Sequence, residues 1–443
     1  MSSINALHSS STVLEQDARH IHDDRAVSAG NIAIGVIIGR TSEFFDFFVY
    51  AIASVLVFPG VFFPMVDSLT GTMYSFSIFA LAFIARPIGS FVFMAIDRRH
   101  GRGTKLTVAL FLLGGSTAAI SFLPSYASLG IWAIIFLATF RFLQGFALGG
   151  AWDGLASLLA LNAPENQRGW YAMVPQLGAP LGFAIAAALF AYFVSSLSTQ
   201  EFLDWGWRYP FFVAFAINVV ALFARLRLVM TKEFGTLLER HELGAVRTSE
   251  LLRFHGRDIL LGAFVPLASF ALFHLVTVFP LGWINLFADE SPATFLSVQI
   301  IGAAVCVLAI IASGALADRI GRRSQLGIGA ALIALFAIGG PLVFNTGSAS
   351  GAYAFVIVGF GLLGLSFGQA AGAVAARFGQ TYRYSGSALT SDLAWLIGAG
   401  FAPLVALTLA STFGLWAIGL YLLSGAICTL LALAVNRHLE TQD

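Results

Sequence analysis

Long apolar stretches alternate with short polar connections along all 443 residues of the chain. A helix needs about 20 consecutive apolar residues to cross a bilayer, whereas a transmembrane β-barrel shows alternating segments of about 10 residues. The pattern therefore predicts an all-α integral membrane protein with twelve transmembrane helices. The predicted spans are 30–57, 69–96, 106–123, 129–156, 169–195, 209–229, 257–288, 293–317, 325–345, 350–376, 384–411 and 414–436.

The longest polar connection, 230–256, divides these spans six and six. We therefore expect a six-helix half at 30–229 and another at 257–436, joined by a cytoplasmic loop at 230–256. Residues 1–29 and 437–443 are expected to be cytoplasmic tails. Duplicated helical halves are a recurring architecture of secondary transporters, in which the substrate site lies between the halves near the bilayer midplane.

Lysine and arginine fall almost entirely on one side of the predicted membrane. Of the 24 such residues, 20 lie in the tails and in the connections on the side of the N-terminus, and only Arg208 lies on the opposite side. Cytoplasmic loops carry the excess of positive charge, so both termini are expected to be cytoplasmic. Arg40, Arg86 and Arg141 lie inside spans, where an arginine costs about 3 kcal/mol or more and usually has a partner or a function.

The composition also points to a membrane protein. The chain is 58% hydrophobic and 11% charged, while soluble domains carry about 25% charged residues. Its basic residues lie in short connections, so no nucleic-acid partner is expected. Cys306 and Cys428 lie in mid-span, so neither is expected to bind a metal or form a disulfide. Residues 1–29 lack the apolar core of a cleavable signal peptide, and the first span is expected to direct insertion.

Motifs repeat at matching places in the two halves. Residues 314–323 read Gly-Ala-Leu-Ala-Asp-Arg-Ile-Gly-Arg-Arg, which resembles the GxxxDRxGRR loop of the major facilitator superfamily, and a similar basic turn lies at 97–102. Segments 39–50, 86–89 and 141–150 resemble the G…EWYDFFxY, RPLG and RxxQG…GGE motifs of its metabolite:proton symporter branch. Further similarities to this branch lie at 175–180, 205–211 and 383–386, so the resemblance extends over nearly the whole chain.

The chain departs from the branch at several of these motifs. In the first-half loop Asp97 stands one position early, and Arg98 occupies the usual place of the acid. Ala151 replaces the glutamate of GGE, and Asp392 stands where the branch has an amide. Arg40 stands where the branch has a small or apolar residue. These departures leave the identity of the substrate open.

The resemblance implies a secondary active transporter that works as a monomer in the inner cell membrane. It implies import of a small organic acid, a carboxylate, together with protons by alternating access, driven by the proton gradient and without a cofactor. A proton-coupled antiporter that exports a drug or metabolite, and a symporter of a zwitterion such as betaine, are alternatives. No enzyme is expected, because the chain contains no HExxH, nucleophile-elbow or P-loop motif.

Two arginines inside spans are candidate ligands of a substrate anion. Arg40 lies about 15 Å from the inner end of the first span at 1.5 Å per residue, and Arg141 lies near the middle of the fourth. The planar guanidinium matches a carboxylate with two parallel hydrogen bonds. Alternatively, Arg40 neutralises Glu43 or Asp46. Further candidate substrate contacts are Tyr50, Trp152, Gln176, His274 and Gln369. The alternative for the two glutamines is hydrogen bonding between helices, and for His274 it is a hydrogen-bonded position in the wall.

Proton coupling requires a group that changes charge during the transport cycle. Asp46, Glu43 and Asp392 are candidates, with a salt bridge to an arginine of the other half as the alternative for Asp392. The resemblance assigns the basic loops to conformational gating, and the arginines of the first-half loop have orientation in the membrane as their alternative role. The gating candidates are Asp318, Arg319, Gly321, Arg322 and Arg323 in the second half, and Arg98, Arg99 and Arg102 in the first.

Overall fold

The computed structural model describes residues 29–151, 159, 163–164, 167–229, 244–345, 348–375 and 378–435. Helices account for nearly all of these residues, and no strand occurs among them. The prediction of an all-α fold is confirmed.

Each predicted span of the first half corresponds to a helix. Two of these helices form one long helical segment, Ser68–Ser121, in which Gly101 has a non-helical backbone conformation. The six helices are α1 (Ala29–Leu56), α2 (68–100), α3 (102–121), α4 (Ile131–Gly150), α5 (Arg168–Ser196) and α6 (Arg208–Val229).

The second half repeats this arrangement with more interruptions. Its helices are α7 (Thr248–Phe264, Leu267–Thr277 and Phe279–Phe287), α8 (Pro292–Ile320), α9 (Arg322–Phe344), α10 (Ala349–Val374), α11 (Gln380–Trp395 and Ala402–Phe413) and α12 (Leu415–Val435). The two parts of α11 are joined by a π-helical turn, Leu396–Gly400. The described part of the chain therefore holds the twelve helices that the hydropathy pattern predicts.

Ten helical segments of the described chain are long and apolar enough to cross a membrane. One of them, Ser68–Ser121, contains both α2 and α3. α1 falls outside this set because Arg40, Glu43 and Asp46 lie together at its centre. The charges that lower the hydropathy of α1 are therefore the same ones that mark it as a candidate site helix.

α7 is the helix whose start differs most from the prediction. It begins at Thr248, well before the predicted start of the seventh span at 257. The segment 248–256 contains Glu250, Arg253 and His255, so its mean hydropathy is typical of a loop. It is nevertheless an amphipathic turn of helix, because Leu251 is buried while its neighbours face outward.

Two glycine turns mark equivalent places in the two halves. Gly101 between α2 and α3 has φ 84°, and Gly321 between α8 and α9 has φ 83°. Side chains disfavour this conformation, which glycine adopts readily. The glycines of the two basic loops therefore end one helix and start the next. We call the end of the molecule that carries these two turns the basic end.

The halves meet along two helix pairs, α5 with α8 and α2 with α11. Near the other end of the molecule, Phe279–Phe287 of α7 packs on α1 and α2, so the halves are in contact at both ends. Within the first half, α4 lies very close to α2, because a Cβ at Gly145 or Gly149 would collide with the α2 backbone. Small residues permit this approach in membrane helices. It places Arg141 of α4 beside Phe79 of α2.

Candidate substrate site

Arg141 lies at the centre of the first half with only 1% of its surface exposed. Its Nε donates to the carbonyl oxygen of Phe79 over 3.3 Å, and Nη1 donates to Oε1 of Gln144 over 3.2 Å. Its Cζ lies 4.0 Å above the Tyr50 ring, a distance typical of a cation–π contact. Within the described residues, Nη2 has no hydrogen-bond partner. The guanidinium is therefore held firmly but incompletely satisfied.

Asp46 connects to Arg141 through two neutral side chains rather than by direct contact. The Thr117 hydroxyl of α3 donates to Oδ1 of Asp46 over 2.7 Å. The same hydroxyl accepts from Nε2 of Gln144 over 2.8 Å, and Gln144 accepts from Arg141. We call this chain, Asp46–Thr117–Gln144–Arg141, the relay. It joins α1, α3 and α4 and lies wholly within the first half.

Aromatic rings surround the relay on the side that faces the second half. Phe47 and Phe79 lie 5.4 and 4.8 Å from Cζ of Arg141, measured to the ring centroids. The His274 ring of α7 lies 5.6 and 5.3 Å from the same two rings. Nε2 of His274 has no hydrogen-bond partner among the described residues, and its side chain is fully buried. Tyr50 and His274, two of the predicted substrate contacts, thus lie near Arg141.

A small cavity lies between the centre and the basic end. Phe47 lines this cavity and lies against Arg141, so Arg40 faces the cavity while Arg141 lies behind the Phe47 ring. The cavity is lined by Arg40, Glu43, Phe44, Phe47, Ala82, Phe83, Arg86, Leu148 and Trp395.

Two ion pairs stand at this cavity. Nη1 of Arg40 lies 2.6 Å from Oε2 of Glu43, so the alternative role of Arg40, neutralising an acid of its own helix, is the contact observed. Nε of Arg86 on α2 lies 2.6 Å from Oδ1 of Asp392 on α11. The Ser90 hydroxyl donates to the other oxygen of Asp392. Asp392 therefore makes the expected alternative contact, a salt bridge across the two halves, while its role in proton coupling stays a prediction.

Two further predicted contacts lie elsewhere. Gln369 donates to the Gly169 carbonyl oxygen over 3.1 Å and accepts from Arg322, so it joins the halves at the basic end rather than lining the cavity. Gln176 is buried on the 3₁₀ turn of α5 that packs on α1. Trp152 lies outside the described residues.

The second-half loop contacts the first half through Asp318. Its Oδ1 accepts from the Gly169 N–H over 2.6 Å, and its Oδ2 accepts from the Trp170 N–H over 3.1 Å, both in the first turn of α5. The start of a helix favours a carboxylate in this way. Arg322 reaches Gln369, and Nη2 of Arg323 donates to the carbonyl oxygen of Leu433 on α12 over 3.0 Å. Arg319 is exposed beside Gly321.

The first-half loop reaches the second half despite its altered motif. Asp97 pairs with Arg102 at 3.0 Å and accepts a hydrogen bond from the Tyr384 hydroxyl of α11 over 3.3 Å. Nζ of Lys105 donates to the same hydroxyl over 2.7 Å. Nη1 of Arg98 donates to the carbonyl oxygen of Val246, while Arg99 is exposed. The shifted acid therefore still bridges the halves, and the gating role of both loops stays a prediction.

Sequence reasoning about the site does not single out Thr117, Gln144 and Arg86 as its members. Gln144 follows Arg141 by one helical turn, a spacing that places both on one face of α4. Thr117 is a polar residue in the apolar third span. Arg86 is recognisable as an arginine inside a span, where a partner or a function is expected. The signals exist, but the contacts depend on how the helices pack.

Comparison with known proteins identifies the family. Residues 36–403 match the Major Facilitator Superfamily. The chain belongs to the major facilitator superfamily. It is 37% identical to the inner membrane metabolite transport protein YhjE of Escherichia coli K12, covering 94% of this chain and 96% of that one. The resemblance that the motifs suggest is therefore confirmed.

Three other comparisons extend this finding. The Escherichia coli K12 shikimate transporter is 30% identical, covering 90% of this chain and 92% of its own length. Putative proline/betaine transporters of Staphylococcus aureus are 29% identical over 88% of this chain and 84% of theirs. The crystal structure of a D-xylose-proton symporter has the same fold at 18% identity, with a TM-score of 0.68 over 90% of this chain and 96% of that one.

Membership of this superfamily shows the general function of the protein. The protein is a multi-pass transporter of the inner cell membrane that moves small-molecule metabolites, and it is not an enzyme.

Proposed function

We propose that the protein imports a small organic carboxylate together with protons by alternating access, with the basic end in the cytoplasm. The observation that carries the proposal is the relay. It joins Asp46, an acid that can take up a proton, to Arg141, a guanidinium that can bind an anion. The excess of positive residues at the basic end supports the orientation.

Arg141 suits an anionic substrate because its Nη2 group has no partner within the described residues. A carboxylate at Nη2 satisfies a donor that otherwise remains buried without a hydrogen bond, which is costly in itself. Phe47 lies between this group and the cavity, so the proposal requires this ring to move aside when substrate arrives.

Charge balance connects the proton to the substrate. Ionised Asp46 and Arg141 together are neutral, and a bound carboxylate adds one negative charge to a buried site. An uncompensated charge in such a site is strongly unfavourable. A proton on Asp46 removes the excess. Substrate and proton therefore bind best together, which is the thermodynamic requirement for symport.

A second candidate function, symport of a zwitterion such as betaine, is favoured by the lining of the cavity. Phe44, Phe83 and Trp395 present aromatic rings there beside the carboxylate of Glu43. Aromatic faces attract quaternary ammonium groups. The related putative proline/betaine transporters also support this candidate.

Uptake by the purified protein in liposomes tests the proposal. The panel contains succinate, shikimate, 4-hydroxybenzoate and glycine betaine, each offered with the outside acidic, with no gradient and with the inside acidic. We expect a carboxylate to accumulate only when the outside is acidic, and a protonophore to abolish the accumulation.

Other results point elsewhere. Accumulation of betaine alone supports the second candidate. Accumulation driven only by an acidic interior indicates exchange of substrate against protons and contradicts symport.

A further inference from the structure

We propose that Arg86 is a second carboxylate-binding group, which receives the substrate in the cavity on the cytoplasmic side of Phe47, and that Asp392 occupies the same guanidinium when substrate is absent. The inference rests on the proposed function and adds to it a route and a ligand class. Arg141 holds the anion in the centre, and Arg86 holds it before release.

The guanidinium of Arg86 has donors to spare. It makes its only hydrogen bond with the described residues through Nε, to Oδ1 of Asp392. The Arg86 side chain keeps 15% of its surface exposed and lines the cavity, whereas Asp392 keeps 3%. The two Nη groups of Arg86 are therefore available to a ligand in the cavity. A planar guanidinium offers a carboxylate two parallel hydrogen bonds from such an edge.

Asp392 resembles the proposed ligand in its chemistry. It presents a carboxylate to Arg86 from the second half of the molecule, and the Ser90 hydroxyl holds its other oxygen. A substrate carboxylate at Arg86 competes with this contact for one positive charge. Because Arg86 lies on α2 and Asp392 on α11, the same competition weakens an ion pair that connects the halves. Binding of substrate at Arg86 thus favours separation of α2 from α11, the movement that release to the cytoplasm requires.

The walls of the cavity define the rest of the ligand. The Phe83 and Trp395 rings are stacked with centroids 6.3 Å apart, and the Phe44 ring lies 6.0 Å from Trp395. Flat apolar walls favour a ring-shaped body, because stacked and offset aromatic arrangements add to the burial of apolar surface. Arg40 is already paired with Glu43, so among the described residues that line the cavity no further cation remains for a second carboxylate. The ligand class is a cyclic monocarboxylate.

Substitutions can distinguish a purely structural Arg86–Asp392 ion pair from an Arg86 that also binds substrate. If Arg86 and Asp392 only hold the halves together, Arg86→Gln and Asp392→Asn both break the same bond and shift transport in the same direction. If Arg86 also binds substrate, the variants act in opposite directions at the cytoplasmic side. Arg86→Gln removes the ligand contact, whereas Asp392→Asn removes the competitor and leaves an unpaired cation that favours an anion.

Membrane vesicles of both orientations, containing the full-length protein, separate these cases. The Michaelis constants for shikimate and 4-hydroxybenzoate are measured at pH 7 from the outer face in right-side-out vesicles and from the cytoplasmic face in inverted ones. Arg253→Gln, the same exchange at an exposed position of α7, is the matched control. Protein amount and size-exclusion profile verify that each variant is folded.

We expect Arg86→Gln to raise the cytoplasmic-face constant about tenfold or more, the effect of removing one charged partner from a close pair. Asp392→Asn lowers it, the double variant behaves like Arg86→Gln, and Arg253→Gln changes nothing. If the Michaelis constants of both single variants shift in the same direction, at either face, the inference is overturned. Arg86 and Asp392 then form only a structural ion pair between the halves. If another carboxylate of the panel is transported but neither cyclic acid is, the proposed function stands and the ligand class inferred here is wrong.

Discussion

Arg141, which is buried, and Arg86, which is partly exposed, are connected to carboxylates in contrasting ways. Arg141 is joined to Asp46 through Thr117 and Gln144, and every member of that relay belongs to the first half. Arg86 contacts Asp392 directly, across the boundary between the halves. The relay can therefore change its charge without separating the halves, whereas the Arg86 pair must break when they separate. We therefore assign the coupling of proton and substrate charge to the relay. The Arg86–Asp392 pair is assigned to the movement of the two halves.

The largest effect is expected at the anion-binding end of the relay. Removing one partner of a buried, hydrogen-bonded charge pair costs about 2–5 kcal/mol, which is roughly 30-fold or more in affinity. Arg141→Ala should therefore abolish uptake at submillimolar carboxylate, and Arg141→Lys should weaken it strongly, because lysine keeps the charge and loses the fork. The measurement is outer-face uptake, with Arg253→Ala as a control. Uptake near the wild-type rate in folded Arg141→Ala removes Arg141 from the site.

An intermediate effect is expected in the middle of the relay. Thr117→Val keeps the shape of the side chain but leaves Asp46 and Gln144 without their shared hydroxyl. Each buried group left without its hydrogen bond costs about 1–3 kcal/mol. We expect gradient-driven uptake to fall about tenfold or more. Thr117→Ser keeps the hydroxyl and should retain most of the uptake.

Thr139→Val controls for the exchange itself. Thr139 lies on α4, and its hydroxyl bonds only within its own helix, at an exposed position. Equal uptake by Thr117→Val and Thr139→Val shows that the relay does not contribute to coupling.

The smallest effect is expected at the basic end, where the halves meet outside the relay. Tyr384→Phe removes the hydroxyl that accepts from Lys105 and donates to Asp97 across the halves. Hydrogen bonds to charged groups contribute about 1.5–3 kcal/mol. The inward-open population should rise, and a cysteine at Leu148 in the cavity should react severalfold faster with a maleimide applied from the cytoplasmic side, after Cys306 and Cys428 have been replaced.

The matched control is Tyr382→Phe. Its hydroxyl bonds Glu250 over 2.8 Å, and both residues belong to the second half, so this contact need not break when the halves separate. Labelling at the wild-type rate in Tyr384→Phe, or an equal increase in both variants, argues against a cross-half closure by Tyr384.

The sequence carries more information about elements than about contacts. Twelve helices and the two glycine turns follow from hydropathy and from the repeated loop motif, because membrane helices satisfy their backbone groups internally. The start of α7 does not follow, because a single amphipathic turn carrying Glu250 and Arg253 has the composition of a loop. The buried Leu251 becomes meaningful only when the helix packs against α11.

The same distinction between what sequence shows and what packing decides applies to the residues of the site. Asp46, Arg141 and Tyr50 can be selected from sequence, because charged and polar residues in a span are costly and need a reason. Thr117 cannot be assigned to Asp46 from sequence, since that contact depends on how α3 packs against α1. The spacing of Arg40 and Arg141 suggests equal depth but not whether they share a cavity. The intervening ring of Phe47 decides that question.

The most direct test of the central claim is the transport behaviour of Asp46→Asn. In liposomes with an acidic exterior, we expect this variant to lose concentrative carboxylate uptake, because it cannot take up the proton that balances the substrate's charge. It should retain exchange of labelled for unlabelled substrate, since Arg141 is unchanged. Asp67→Asn, an exposed helix cap at the start of α2, should behave like the wild type in both assays. Accumulation by Asp46→Asn that responds to the pH gradient as fully as the wild type would contradict the account.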